Sequence, residues 1–137
     1  LKKDINLLSD DLNDKKIKNL KLNVSAPFHC KYMKTASDKM TNYINDLKMN
    51  DLEKPIISNV TASETSSSKE IKSLLISQIE KKVRWLESVE YMINNGVKNF
   101  VEIGPGKVLS GLIKRINKNV NVNSINSEED IKLLIND

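Results

Sequence analysis

The chain has 137 residues with a formal net charge of +4 from 22 basic and 18 acidic side chains, one histidine and one cysteine. That length is enough for one domain with a real core, and a single cysteine excludes an internal disulfide, which fits a cytoplasmic protein or, in a eukaryote, one of the organelle stroma. No apolar run approaches a membrane span, and with three Tyr, two Phe and one Trp for stacking the composition speaks against nucleic acid as the partner.

In chain order, Ile5, Leu7, Leu8 and Leu12 share one helical face, and its acidic neighbours argue against a signal peptide. Leu20, Leu22 and Val24 alternate as in a half-buried strand. Helical spacing resumes after Lys31 through Met33, Ala36, Met40, Tyr43, Ile44 and Leu47. Residues 55–60 predict a short buried strand and residues 61–68 a polar loop. Ser67 and Glu70 have capping-box spacing ahead of a helix carrying Ile71, Leu74, Leu75 and Ile79. A helix from about Trp85 to Asn95 stops at Gly96, and a strand at 100–103 turns through Gly104-Pro105-Gly106 into a helix with Val108, Leu112 and Ile116. A weak strand at 121–125 precedes a last helix that Ser127 and Asp130 can cap. Strands alternating with helices predict an α/β fold with a mostly parallel sheet covered on both faces.

The sole histidine and sole cysteine sit together in Ser25-Ala-Pro-Phe-His-Cys30, between the alternating run and the next helix. An imidazole titrates near neutrality and can move protons in either direction, so His29 is the first candidate for chemistry. Pro27 stiffens the approach to it. Cys30 reads as a packed, inert thiol, since neighbouring side chains on extended backbone face opposite ways. Gly104-Pro-Gly-Lys107 lacks the spacing of a nucleotide-binding loop and reads as a tight turn. No Cys/His cluster offers metal ligands. The carboxylates Glu87 and Glu90, three apart on a helix, read as a solvated face.

Three blocks in order, Ser25–Cys30, Val83-Arg-Trp-Leu-Glu-Ser-Val-Glu-Tyr-Met92 and Phe100-Val-Glu-Ile-Gly-Pro-Gly-Lys-Val-Leu-Ser-Gly-Leu112, resemble the malonyl-CoA:acyl carrier protein transacylases. The resemblance runs from about Lys18 to the end of a chain shorter than the family's members, and implies their C-terminal portion. It implies the C-terminal part of a hydrolase-like parallel-sheet acyltransferase domain (residues 25–137), preceded by the end of a ferredoxin-like small subdomain (residues 1–24). The implied activity is malonyl transfer from malonyl-CoA, a substrate rather than a cofactor, to the pantetheine thiol of acyl carrier protein in fatty-acid synthesis. A polyketide acyltransferase, a carrier-protein-binding fragment and half of a split enzyme are the alternatives.

By the same resemblance His29 is the general base of a Ser–His pair, its second ring nitrogen held by a main-chain carbonyl. Arg84, standing where family members often carry glutamine, is expected to supply that carbonyl. Phe28, next to the histidine, is expected at the substrate, where a bulky aromatic accompanies malonyl selection. The family's nucleophile lies in a Gly-x-Ser-x-Gly elbow, and this sequence contains none. Ser110, inside a predicted helix, lacks the elbow's glycines. The arginine that grips malonate also belongs to the absent portion, so this chain alone is expected to be inactive. An N-terminal half carried on a separate chain is a further expected partner. The expected set therefore names acyl carrier protein and malonyl-CoA as partners, with no cofactor, metal, nucleic acid or membrane.

Overall fold

The computed structural model describes residues 2–21 and 24–136. Among these residues, six helices accompany two small sheets: α1 (Lys2–Asp14), a 3-10 turn (Lys31–Met33) leading into α2 (Lys34–Asp46), β1 (Ile56–Ile57), β2 (Glu64–Thr65), α3 (Ser68–Ser77), α4 (Trp85–Asn94), β3 (Asn99–Ile103), α5 (Val108–Ile116), β4 (Asn121–Ile125) and α6 (Glu128–Asn136).

The centre of packing lies in the second half. β3 and β4 are parallel and joined through α5, with Phe100 opposite Val122 and Ile103 opposite Ile125. Parallel neighbours need such a crossover. Val89 of α4, Phe100 of β3, Ile113 of α5 and Val120 just before β4 form one buried cluster, flanked by Trp85, Met92, Ile93 and Ile116. These are the positions that the helical and strand periods bring to one side. Gly96 ends α4 with φ +90°, a conformation that suits glycine. Ser127 and Asp130 cap α6 reciprocally: the Asp130 amide donates to the Ser127 hydroxyl (3.2 Å), and the Ser127 amide to the Asp130 carboxylate (3.0 Å).

Ahead of this unit, α2 packs against α3. The Ser67 hydroxyl accepts from the Glu70 amide at the start of α3. The Glu70 carboxylate turns instead to the Thr65 hydroxyl (2.6 Å), so only half of the capping box closes.

Three expectations are corrected. Leu20 and Val24 lie outside any strand, with Leu20 85% exposed, and Leu22 falls outside the described residues. A strand needs a neighbour to satisfy its amides. Here the segment folds back on α1 through polar side chains: the Ser9 hydroxyl donates to the Asn19 side chain (2.7 Å), and Lys21 donates to Asn6 (2.9 Å). The strand expected at 55–60 shrinks to Ile56–Ile57, and its partner, Glu64–Thr65, forms inside the stretch expected as loop. The hairpin between them is closed by the main chain, Ser58 N–H to Ser63 carbonyl (3.0 Å) and Ala62 N–H to Ser58 carbonyl (2.8 Å). Finally, among the described residues the parallel sheet is covered on one face only, because Phe100 points into the core while Val101 and Ile103 remain exposed. Side chains alternate across a strand, so one packed layer buries only every second residue.

Candidate active site

The segment leading to His29 is fixed by its own main chain. The Phe28 amide donates to the Ala26 carbonyl (2.9 Å), a three-residue turn centred on Pro27. His29 follows with φ +59°, in the left-handed region. Histidine is among the few non-glycine residues found there, at a cost of about 1–2 kcal/mol. Cys30 returns to extended backbone, caps the 3-10 turn through its carbonyl, and donates its thiol to the Pro27 carbonyl (3.1 Å). The thiol therefore has a local structural partner. Phe28 is 56% exposed beside the histidine.

His29 reaches across the fold to the C-terminus of α3. Its Nδ1 lies 2.8 Å from the main-chain carbonyl oxygen of Gln78. A carbonyl only accepts, so Nδ1 carries the hydrogen and donates it. The neutral ring then presents a lone pair at Nε2, the form a proton acceptor needs. The Gln78 carbonyl is available because a helix leaves its last carbonyls without intrahelical partners. The neighbouring ones are taken locally: Leu74 by the Gln78 amide, Ile76 by Ile79, and Ser77 by Glu80 and Lys81.

The carbonyl on His29 is thus that of Gln78 and not that of Arg84. Arg84 caps α4, and its carbonyl accepts from both the Ser88 amide (2.9 Å) and the Ser88 hydroxyl (2.8 Å). Its amide donates to the Asn59 carbonyl (2.9 Å), and its guanidinium donates to the Thr61 carbonyl (3.0 Å) and the Glu87 carboxylate (3.1 Å). Arg84 therefore ties the 59–61 loop to the start of α4. Asn59 completes the chain of contacts, its side-chain amide donating to the Gln78 side-chain carbonyl at 3.3 Å. Neither Gln78 nor Asn59 is singled out by the sequence pattern. A helix end after the Ile71–Ile79 pattern signalled a free carbonyl near 78, but nothing local paired it with a histidine 49 residues away.

Lysines gather near this corner. Lys31, Lys34 and Lys81, with Asp38 and Glu80, line a cavity of about 340 Å³, and Lys34 is ion-paired with Asp38. A larger cavity of about 550 Å³ lies between α5, β4 and α6, lined by Lys107, Ser110, Lys114 and Asp130 among others.

The Gly104–Lys107 turn holds φ +139° at Gly104 and +97° at Gly106, which only glycine adopts readily. The helix it opens does not offer its amides to an anion. The Glu102 carboxylate already accepts from the amides of Leu109 (3.1 Å) and Ser110 (2.8 Å), as helix N-termini favour. Hydrogen bonding from Ser110, through its side chain and then its amide, holds the Glu102 carboxyl below the usual carboxylate range. The Ser110 hydroxyl lies 2.7 Å from that of Ser124, tying α5 to β4.

No family model matches the chain. The malonyl CoA-acyl carrier protein transacylase of Staphylococcus aureus (strain MSSA476) is 43% identical over 111 residues, which is 81% of this chain and 36% of that protein. The crystal structure of an acyl carrier protein S-malonyltransferase from Vibrio cholerae superposes with a TM-score of 0.80 at 38% identity, covering 85% of this chain and 38% of that one. A malonyl-transacylase solved in complex with its type II PKS acyl-carrier protein gives 0.81 at 34% identity, covering 93% and 42%. The chain thus spans little more than a third of the length of the curated relatives it matches. Over that stretch, the chain is similar in both sequence and α/β fold to the malonyl CoA-acyl carrier protein transacylases.

Proposed function

We propose that this chain supplies the histidine half of a malonyl-CoA:acyl carrier protein transacylase of fatty-acid synthesis, working in the cytoplasm or in an organelle stroma. The observation that carries the reading is the His29 Nδ1 contact with the Gln78 carbonyl, which leaves Nε2 as the proton acceptor. The nucleophilic serine comes from outside these 137 residues, which hold no Gly-x-Ser-x-Gly elbow. As the serine oxygen bonds to the thioester carbonyl carbon of malonyl-CoA, Nε2 takes the hydroxyl proton. It returns the proton to the departing coenzyme A thiolate as the carbon–sulfur bond breaks. In the second half, Nε2 takes the proton of the carrier's pantetheine thiol, the thiolate attacks the seryl ester, and the serine recovers its proton.

Phe28, exposed beside His29, is proposed to form a wall for the malonyl group. Residues 1–24 are assigned to the end of a ferredoxin-like subdomain and 25–137 to the C-terminal part of the hydrolase-like one. The net charge of +4 suits an acidic carrier protein, with Lys31 two residues after the histidine. A second reading, in which the carrier serves polyketide synthesis, draws on the relative solved with a type II PKS carrier.

Transfer of labelled malonyl from malonyl-CoA to carrier protein tests the assignment, with this chain alone, with a separately expressed N-terminal half, and with that half plus His29→Ala. Activity is expected only in the pair, falling by about 10²–10⁴-fold with the substitution. Transfer by the chain alone, or by the His29→Ala pair at full rate, would overturn it. Silence from a well-folded pair would leave a carrier-binding fragment. Offering both carrier types in parallel separates the fatty-acid and polyketide readings.

A further inference from the structure

We infer that Asn59 is a positioning residue for His29, acting through the side chain of Gln78. The inference rests on the assignment of His29 as the proton acceptor and extends it to the residues that set its tautomer.

Two different groups of Gln78 are engaged at once. Its main-chain carbonyl accepts from His29 Nδ1 at 2.8 Å, and its side-chain carbonyl accepts from the Asn59 amide at 3.3 Å. Gln78 is also the C-cap of α3, at the point where the regular helical bonds give way to tighter ones, Ile79 to Ile76 and Glu80 to Ser77. A carbonyl at a helix end has more freedom than one inside the helix, since no following turn fixes its direction. An anchor on the same residue limits that freedom.

Asn59 is suited to be the anchor because it is held independently of α3. Its own carbonyl accepts from the Arg84 amide (2.9 Å), and the loop is gripped again two residues later by the Arg84 guanidinium on Thr61 (3.0 Å). Inside the hairpin, the Ser58 side-chain oxygen accepts from the Val60 amide (3.1 Å), and Ala62 takes φ +55°. The chain of contacts therefore runs from the start of α4 through the 59–61 loop to the end of α3, and from there to the imidazole. Hydrogen-bonding partners of a working side chain fix its geometry in this way, and misplacement of a reacting group by a remote change can cost on the order of 10²-fold in rate.

His29 is the only histidine in the chain, so the two ring nitrogens give one unambiguous pair of signals in a ¹⁵N-labelled sample. The experiment records them with the ring neutral in the wild type, Asn59→Leu, Gln78→Met, the double variant and Asn59→Asp, with thermal melting alongside to confirm folding. The wild type is expected to show Nδ1 as the protonated nitrogen and Nε2 as the bare one. Asn59→Leu and Gln78→Met should each move both signals toward tautomer averaging, and the double variant should move them no further than the larger single effect. Asn59→Asp should restore the wild-type pattern, because the Gln78 amide can turn and donate to the carboxylate. Wild-type ring signals in a folded Asn59→Leu would overturn the inference. So would a perturbation by Asn59→Leu that Gln78→Met fails to reproduce. Should Asn59→Leu not fold, unchanged signals in Gln78→Met would overturn it alone. The readout needs no catalysis, so failure of the transacylase assignment in the transfer assay leaves this test intact.

Discussion

Around Val89, Phe100, Ile113 and Val120, four apolar side chains from successive elements are each no more than 8% exposed, whereas His29 and Phe28 sit at the surface in a turn held by hydrogen bonds. The first region gains its stability from water-free contact, which is insensitive to small rotations of any one group. The second gains direction: a left-handed histidine, a proline-centred turn and a helix-end carbonyl aim one nitrogen at one oxygen. Stability and aim are thus built in different parts of the chain, and Arg84, at the start of α4, joins them through Asn59 and Thr61.

That division can be broken at the core. Phe100→Ala removes the largest member of the buried cluster, and a loss of about 3–5 kcal/mol is expected in urea unfolding. Since whole domains are stable by only about 5–15 kcal/mol, the His29 signals should then report unfolding rather than a local change. A folded Phe100→Ala with normal stability would mean that the cluster does not carry the fold.

Acid is expected to act next, and on the polar contacts. Asn126 and Ser127 hydrogen bonds lower Asp130, Ser68 lowers Asp51, and Ser110 lowers Glu102. A carboxyl lowered in the folded state contributes stability above its ordinary value, and that contribution is lost as pH falls through the folded value. The melting temperature should therefore drop as pH falls below about 4. Glu102→Gln should flatten that acid limb, and an unchanged limb would remove Glu102 from the account.

The smallest expected effect sharpens the comparison at the site itself. His29→Ala and His29→Gly both lose the Gln78 contact, but only alanine keeps a Cβ at φ +59°. His29→Gly should be the more stable of the two by about 1 kcal/mol in urea unfolding. Equal stabilities would mean that the left-handed turn relaxes once the imidazole is gone.

Much of the second half was legible in the sequence because its elements are set by local rules. Gly96 marks the end of α4, the Ser127–Asp130 spacing caps α6, and the periods of Val89, Phe100 and Ile113 name the faces that meet. Leu20–Val24 and the 55–60 run misled, since an apolar alternation becomes a strand only where a neighbour accepts its hydrogen bonds. The partner that residues 56–57 find lies in a polar stretch with no strand pattern.

At the site, the sequence by itself singled out His29 as the proposed acid–base group, through its being the one imidazole and through the words around it. It also determined that no Gly-x-Ser-x-Gly elbow accompanies it. Only the tertiary structure decided which carbonyl meets the ring, Gln78 instead of Arg84, and that Asn59 stands behind it. The physical reason is that every residue carries a main-chain carbonyl, so a one-letter code cannot mark the one that counts. A free carbonyl exists wherever a helix ends, and its partner is chosen by how α3 packs beside the His29 turn.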